Sequence, residues 1–133
     1  MALGWAIIST GNHPNLKIAP AIAAASNGEL VAVYSRDMGR AQTFAEKHGA
    51  QAAYSDLDAL LADSRIDAAF ISSPNSVHAQ HGITAARAGK HLMVEKPMTT
   101  TLKDALDLVR SCKNHNVKLG VGFELRHLSL IHI

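Results

Sequence analysis

The chain has 133 residues, 47% hydrophobic and 18% charged, which is one ordinary domain with enough apolar material for a real core. Its formal net charge of +2 comes from interspersed acids and bases with no basic run, so the composition argues against a nucleic-acid partner. The single cysteine, Cys112, excludes an intramolecular disulfide, and the apolar start lacks a basic leader and is too short to span a membrane; the expectation is a cytoplasmic domain with no membrane partner.

Trp5 to Ser9 is an apolar run that ends in the turn signal Thr10-Gly11-Asn12, the pattern of a strand buried on both faces of a parallel sheet. Ile18, Ala21, Ile22 and Ala25 then recur at helical spacing up to Asn27-Gly28. Pro20 belongs either to the first turn of that helix or to a kink in one that began earlier. Leu30 to Tyr34 is the second strand, and Ala41, Phe44, Ala45 and His48 line a helix that Gly49 closes. A brief strand near 52–54 leads through Ser55-Asp56-Leu57-Asp58 into a short helix with Leu57, Leu60 and Leu61 inward.

Ala68 to Ser72 is the fourth strand, broken by Ser73-Pro74-Asn75. The helix after it carries Val77, Ile83 and Ala86 inward and stops at Gly89. Leu92 to Val94 is a fifth strand that ends in Glu95-Lys96-Pro97. Thr101 with Asp104 opens a helix whose apolar stripe reads Leu102, Ala105, Leu106, Val109 and Cys112, and Val117 to Val121 is a sixth strand. Strand and helix alternate throughout, which predicts an α/β fold: a Rossmann-type, doubly wound parallel sheet of about six strands with helices on both faces. Residues 1–122 form this domain, and 123–133 read as the start of a linker to a C-terminal substrate domain that the chain lacks. The final stretch, Leu128 to Ile133, has no capping or tail logic and is set aside as a candidate artefact of sequence assembly.

In an open α/β sheet, ligands bind beyond the carboxyl ends of the strands, so Glu95 and Lys96 sit where a ligand would. Pro97 restricts Lys96 to extended backbone and aims its amine. The first strand-turn-helix is the place for a dinucleotide pyrophosphate, but the Gly-x-Gly-x-x-Gly/Ala pattern reads Ser9, Gly11 and Pro14, with only the central glycine kept. A ligand-free tight turn competes with that reading. The second strand runs into Ser35-Arg36, with Asp37 as a helix cap. A hydroxyl beside a guanidinium suits a ribose 2′-phosphate and favours NADP over NAD. His78 and His81 lie three apart with no cysteine or carboxylate at ligand spacing, so no metal is expected; Cys112 reads as a small buried residue.

The motifs Ile8-Ser9-Thr10-Gly11, Ala19-Pro20-Ala21-Ile22, Ser35-Arg36-Asp37, Ser72-Ser73-Pro74-Asn75 with His78, and Ala88-Gly89-Lys90-His91 through Glu95-Lys96-Pro97 together resemble the N-terminal domain of the glucose-fructose oxidoreductase, inositol dehydrogenase and rhizopine-catabolism family of NAD(P)-dependent oxidoreductases. The resemblance implies Lys96 as the catalytic lysine, bonded to the hydroxyl or carbonyl undergoing redox, and Glu95 as an acid near the nicotinamide ribose. It implies a cofactor site built from Ser9, Thr10, Gly11, Asn12 and His13, from Ser35 and Arg36, from Ser72, Ser73, Pro74, Asn75 and His78, and from Glu95, Lys96, Pro97 and Arg126. Pro97 would commonly follow a cis peptide. Hydride would pass between the nicotinamide and a sugar, polyol or related substrate, which is the small-molecule partner of a full-length protein. The chain alone would turn over little, and homo-oligomers would need the second domain. A non-catalytic NAD(P)-binding sensor or adaptor is the rival reading, with a methyltransferase-like fold third.

Overall fold

The computed structural model describes residues 1–128. Six parallel strands form one sheet: β1 (Leu3–Ile8), β2 (Gly28–Tyr34), β3 (Ala52–Tyr54), β4 (Ala68–Ile71), β5 (His91–Val94) and β6 (Leu119–Val121), in the order β3-β2-β1-β4-β5-β6. The helices are α1 (Ala19–Ala24), α2 (Met38–His48), α3 (Leu57–Leu61), α4 (His78–Arg87) and α5 (Leu102–Asn114). This is the Rossmann-type α/β fold that the alternation predicts, and its strand order reverses between β1 and β4.

Successive side chains of a strand point to opposite faces, and here both faces are covered. Ala6 and Ile8 of β1, Ala69 and Ile71 of β4, and Leu92 and Val94 of β5 pack with Leu60 and Leu61 of α3, Ala85 and Ala86 of α4, and Leu108 and Cys112 of α5. Ile7, Val33 and Phe70 point the other way, onto Ala19 and Ile22 of α1 and Ala41, Phe44 and Ala45 of α2. Cys112 is buried, and burial pushes its thiol up.

Pro20 lies in the first turn of α1, inside a helical run that already begins at Asn12. Proline has no N–H for the carbonyl one turn back. The preceding turn, Pro14–Ile18, is widened to π-helix, and the Ala19 N–H reaches the Pro14 carbonyl instead. The other helix boundaries follow local chemistry. Asp37 caps α2 by accepting from the Arg40 N–H at 2.8 Å, and Gly49 ends it with φ of 72°. Asp56 accepts from the Asp58 and Ala59 N–H groups at the start of α3, and Thr101 accepts from the Asp104 N–H at the start of α5.

The buried faces of the last two helices differ from the sequence pattern. On α5, Leu102 and Leu106 are 75% and 53% exposed, whereas Leu108, outside the predicted stripe, is fully buried. The cause is α4. A Cβ on Gly82 would lie 2.7 Å from Leu108 Cδ1, so Leu108 enters a notch that only glycine leaves open, and this contact sets the rotation of α5. On α4 the buried residues are His78, Gly82, Ala85 and Ala86, with Val77 and Ile83 half-buried.

At the opposite edge of the sheet from the loops that follow the strands, Lys90 is 9% exposed. Its Nζ donates to the carbonyls of Asp63 and Ile66 at 3.0 and 2.8 Å. Lys90 therefore ties the entry of β5 to the turn before β4. Beside it, the Arg65 guanidinium meets Asp63 at 2.9 and 2.6 Å and the Tyr54 hydroxyl donates to the same carboxylate at 3.0 Å. The bond from Arg65 above all holds the Asp63 carboxyl well below the usual carboxylate range, against the opposing effect of burial.

Lys90→Met leaves two inward carbonyls without a donor, and it should lower unfolding stability in urea by about 1–3 kcal/mol. Asp63 ionises more readily folded than unfolded, so its contribution is complete above the unfolded value near 3.8 and is lost as pH falls towards the lower folded value. Asp63→Asn should accordingly flatten the acid limb of stability measured against pH, and an unchanged limb would exclude this linkage.

Candidate functional site

The loops that follow β1, β2, β4, β5 and β6 leave the sheet at one level, because the hydrogen-bond ladder runs one residue past each of these strands. The Ser35 N–H donates to the Tyr54 carbonyl, Ser9 to Tyr34, Ser72 to Ile8, Glu95 to Ile71 and Gly122 to Val94, at 2.8–3.2 Å. Ser9, Ser72, Glu95 and Gly122 are thereby set side by side along the carboxyl edge. The crevice opens between β1 and β4, where the strand order reverses.

Ser9, at the first glycine position of the fingerprint, takes φ of 132°, a backbone region that favours glycine. Its hydroxyl accepts from the Gly11 N–H at 3.3 Å. Gly11 is exposed, and a Cβ there would meet only Ser9 Oγ, at 3.7 Å. The chain's own packing does not demand glycine at Gly11, so the missing side chain leaves room above the turn. Thr10 is half-buried and Asn12 exposed; Pro14, at the third glycine position, is fully buried. His13 tilts over Phe70 with ring centroids 6.5 Å apart, and its Nε2 lies 2.9 Å from Glu95 Oε1, a close contact not aligned as a hydrogen bond.

A cavity of about 300 Å³ gathers His13 from the first turn, Ser72, Ser73, Asn75 and His78 from the end of β4, Glu95 and Lys96 from the end of β5, and Glu124 from beyond β6. The other Glu95 oxygen accepts from the Lys96 N–H at 2.7 Å, which fixes the carboxylate between His13 and the lysine backbone. Lys96 is exposed, and among the described residues its ammonium enters no ion pair. The Lys96–Pro97 peptide is cis. His78 is 1% exposed, with Nε2 2.6 Å from the Ser73 carbonyl and Nδ1 2.9 Å from the Pro97 carbonyl, so its polar atoms face backbone rather than the cavity. Pro74 is exposed beside Ser73.

At the end of β2, Ser35 is buried and its hydroxyl accepts from the Asp37 N–H at 3.3 Å, while Arg36 is exposed. Arg36 stands near enough to His81 that its charge, after burial and the charge of His78, lowers the His81 ring below the ordinary histidine value. A second cavity, about 550 Å³, lies against the same edge between the first turn and α2; Thr10, Asn15, Asp37, Arg40, Thr43 and Lys47 are among its lining residues. Arg126 sits on the turn Glu124–His127, 5.5 Å over the Phe123 ring, and is not among the residues lining the first cavity.

Glu124 in the first cavity, and Asn15, Arg40, Thr43 and Lys47 in the second, are polar lining residues that sequence reasoning missed. The strand-end rule could have pointed to Glu124, which follows β6 by three positions, and the helical turn after Ser35-Arg36 could have pointed to Arg40. Among the described residues no three His, Cys, Asp or Glu side chains group as a metal site, and no helix is long and apolar enough to cross a membrane.

Residues 3–123 match the family model described as an oxidoreductase family with an NAD-binding Rossmann fold. The scyllo-inositol 2-dehydrogenase (NADP(+)) IolU of Bacillus subtilis is 38% identical over 91 residues, covering 68% of this chain and 28% of that protein. D-xylose 1-dehydrogenase (NADP(+)) 2 of Haloferax volcanii is 34% identical over 122 residues, 92% of this chain and 37% of its own length. The crystal structure of KijD10, a 3-ketoreductase from Actinomadura kijaniata in complex with TDP-benzene and NADP, superposes with a TM-score of 0.94 at 28% identity, covering 99% of this chain and 42% of that one. The chain thus spans well under half the length of these relatives.

Replacing Ser9 with glycine removes a strained backbone conformation at the loss of one exposed hydrogen bond. Ser9→Gly should raise stability by about 1 kcal/mol, read as a higher urea midpoint at unchanged slope.

Proposed function

This chain belongs to the Gfo/Idh/MocA oxidoreductase family with an NAD-binding Rossmann fold, and we propose that it is the cofactor-binding domain of an enzyme that oxidises or reduces a sugar- or polyol-like substrate. The observation that carries the reading is the meeting of His13 from the first turn, the Ser72–Asn75 loop and Lys96 in one cavity at the point where the sheet order reverses. The residues fit a dinucleotide. Gly11 leaves open space above a turn that enters a helix, where backbone N–H groups favour a pyrophosphate. The nicotinamide of such a cofactor supplies the hydride chemistry.

The chain's own groups do the rest. Lys96 presents an exposed ammonium at the strand end, where it holds the substrate oxygen and exchanges a proton with it as that oxygen becomes carbonyl or hydroxyl. Glu95, held at one oxygen by the Lys96 backbone N–H and close to His13 at the other, puts a carboxylate into the same cavity, suited to a ribose hydroxyl. Asn75 and Ser72 offer amide and hydroxyl groups on the other wall of the cavity. The remaining substrate contacts would come from a second domain beyond residue 122.

NADP is the preferred cofactor in this reading. Arg36 is exposed at the end of β2, and Arg40 lines the adjoining cavity with Thr10; no acid follows β2 directly, and the Asp37 carboxylate is engaged as a cap. Two guanidiniums meet a 2′-phosphate with charge-assisted hydrogen bonds.

Calorimetric titration of the chain should show tighter binding of NADPH than of NADH. Arg36→Ala should weaken NADPH roughly ten- to a hundredfold and leave NADH nearly unchanged; equal losses would exclude a 2′-phosphate role. Lys96→Ala should spare NADPH affinity in this chain. In a protein that also carries the second domain it should remove nearly all turnover, and retained turnover would take Lys96 out of the mechanism.

A further inference from the structure

We propose that His78 is a buried imidazolium whose two N–H groups staple the Ser73 carbonyl to the Pro97 carbonyl, making it a positioning residue for the loop beside the cavity and for the Lys96–Pro97 turn. The ring is 1% exposed, with one nitrogen 2.6 Å from the Ser73 oxygen and the other 2.9 Å from the Pro97 oxygen. A carbonyl oxygen can only accept, so each of these approaches requires an N–H from the ring. A neutral imidazole has one N–H. Its other nitrogen would turn a lone pair towards an oxygen lone pair at hydrogen-bond distance, with no water between. Only the doubly protonated ring satisfies both contacts, and both are then charge-assisted.

On the same helix, the His81 ring is lowered first by its own burial, and its Nδ1 lies 2.9 Å from Ser73 Oγ. The charged side chains lining the adjoining cavity are Glu95, Glu124 and Lys96, with His13 the other titratable group there. The two carbonyl dipoles aimed at the ring favour its charged form. A buried charge needs such partners to persist.

The staple links two loops from different strands. Ser73 lies in the loop after β4, and Pro97 closes the turn that carries Lys96 after β5. Its consequence for binding rests on the cofactor reading above; its protonation does not.

The test is ring-nitrogen NMR of the 133-residue chain with 15N-histidine, without cofactor, near pH 7.5, above the pH at which free histidine has lost most of its charge. We expect both nitrogens of His78, assigned through its backbone amide, to carry protons protected from solvent exchange. A bare nitrogen on that ring overturns the proposal. The positioning role is read separately by NADPH titration from about pH 7 to about pH 9.5. Affinity should fall several-fold as the second His78 N–H signal disappears, while His78→Gln should bind several-fold more weakly with no such dependence. Superimposable profiles in the two proteins would overturn the positioning role. A chain that binds no NADPH would sink the cofactor reading and leave the NMR result standing, whereas NADPH bound beside a neutral His78 sinks this proposal alone.

Discussion

The hydrogen-bond ladder that runs past the ends of the strands is the constraint on which the rest of the molecule depends. In a parallel sheet every strand points the same way, so every outgoing loop leaves from one edge. Here the first loop residue after β1, β2, β4, β5 and β6 still donates to the last carbonyl of a neighbouring strand. Residues distant in sequence are thereby held level: Ser9, Ser72 and Glu95 start from equivalent positions, and the segments that follow them reach the same cavity. The reversal between β1 and β4 keeps that cavity open, because the helices that follow those strands cover opposite faces.

Holding the edge together takes polar groups as well as apolar packing. Lys90 fastens β5 at the far end of the sheet, where no loop of the site lies, and so belongs to stability rather than to chemistry. His78 does the corresponding work at the near end, between two backbone carbonyls. Glu95 is held from two sides, by His13 and by the Lys96 backbone. Lys96 remains exposed among these anchored groups, as a residue that must reach a substrate should be.

Particular residues mark how far the sequence could be read. The strands were legible because they are short apolar runs, buried on both faces and bounded by turn residues, as in Ala68–Ile71 before Ser72-Ser73-Pro74-Asn75. The caps at Asp37, Asp56 and Thr101 and the stop at Gly49 were legible because the interactions that make them span only a few residues. The α5 stripe was legible only in part, with Cys112 buried as expected but Leu102 and Leu106 exposed. Its apolar residues spread over two adjoining faces, and the choice between them was made by Gly82 on another helix, against which Leu108 packs. The widened turn before Pro20 was legible only as an alternative, since proline's missing donor can be absorbed in more than one way.

By itself, then, the sequence determined the alternation of elements, the parallel sheet, the helix ends and the strand-end positions of Gly11, Ser73-Pro74-Asn75 and Glu95-Lys96-Pro97, because periodicity, capping and turn chemistry act between near neighbours. Tertiary structure alone decided what those strand ends do to one another. It set His78, which the family resemblance assigns to the cofactor site, between two backbone carbonyls, brought His13 against Glu95, brought Glu124 and Arg40 to the edges of the two cavities, and placed Ser9 in a glycine conformation. Each of these depends on a distance between residues far apart in the chain, which only the packing of helices on the sheet can set.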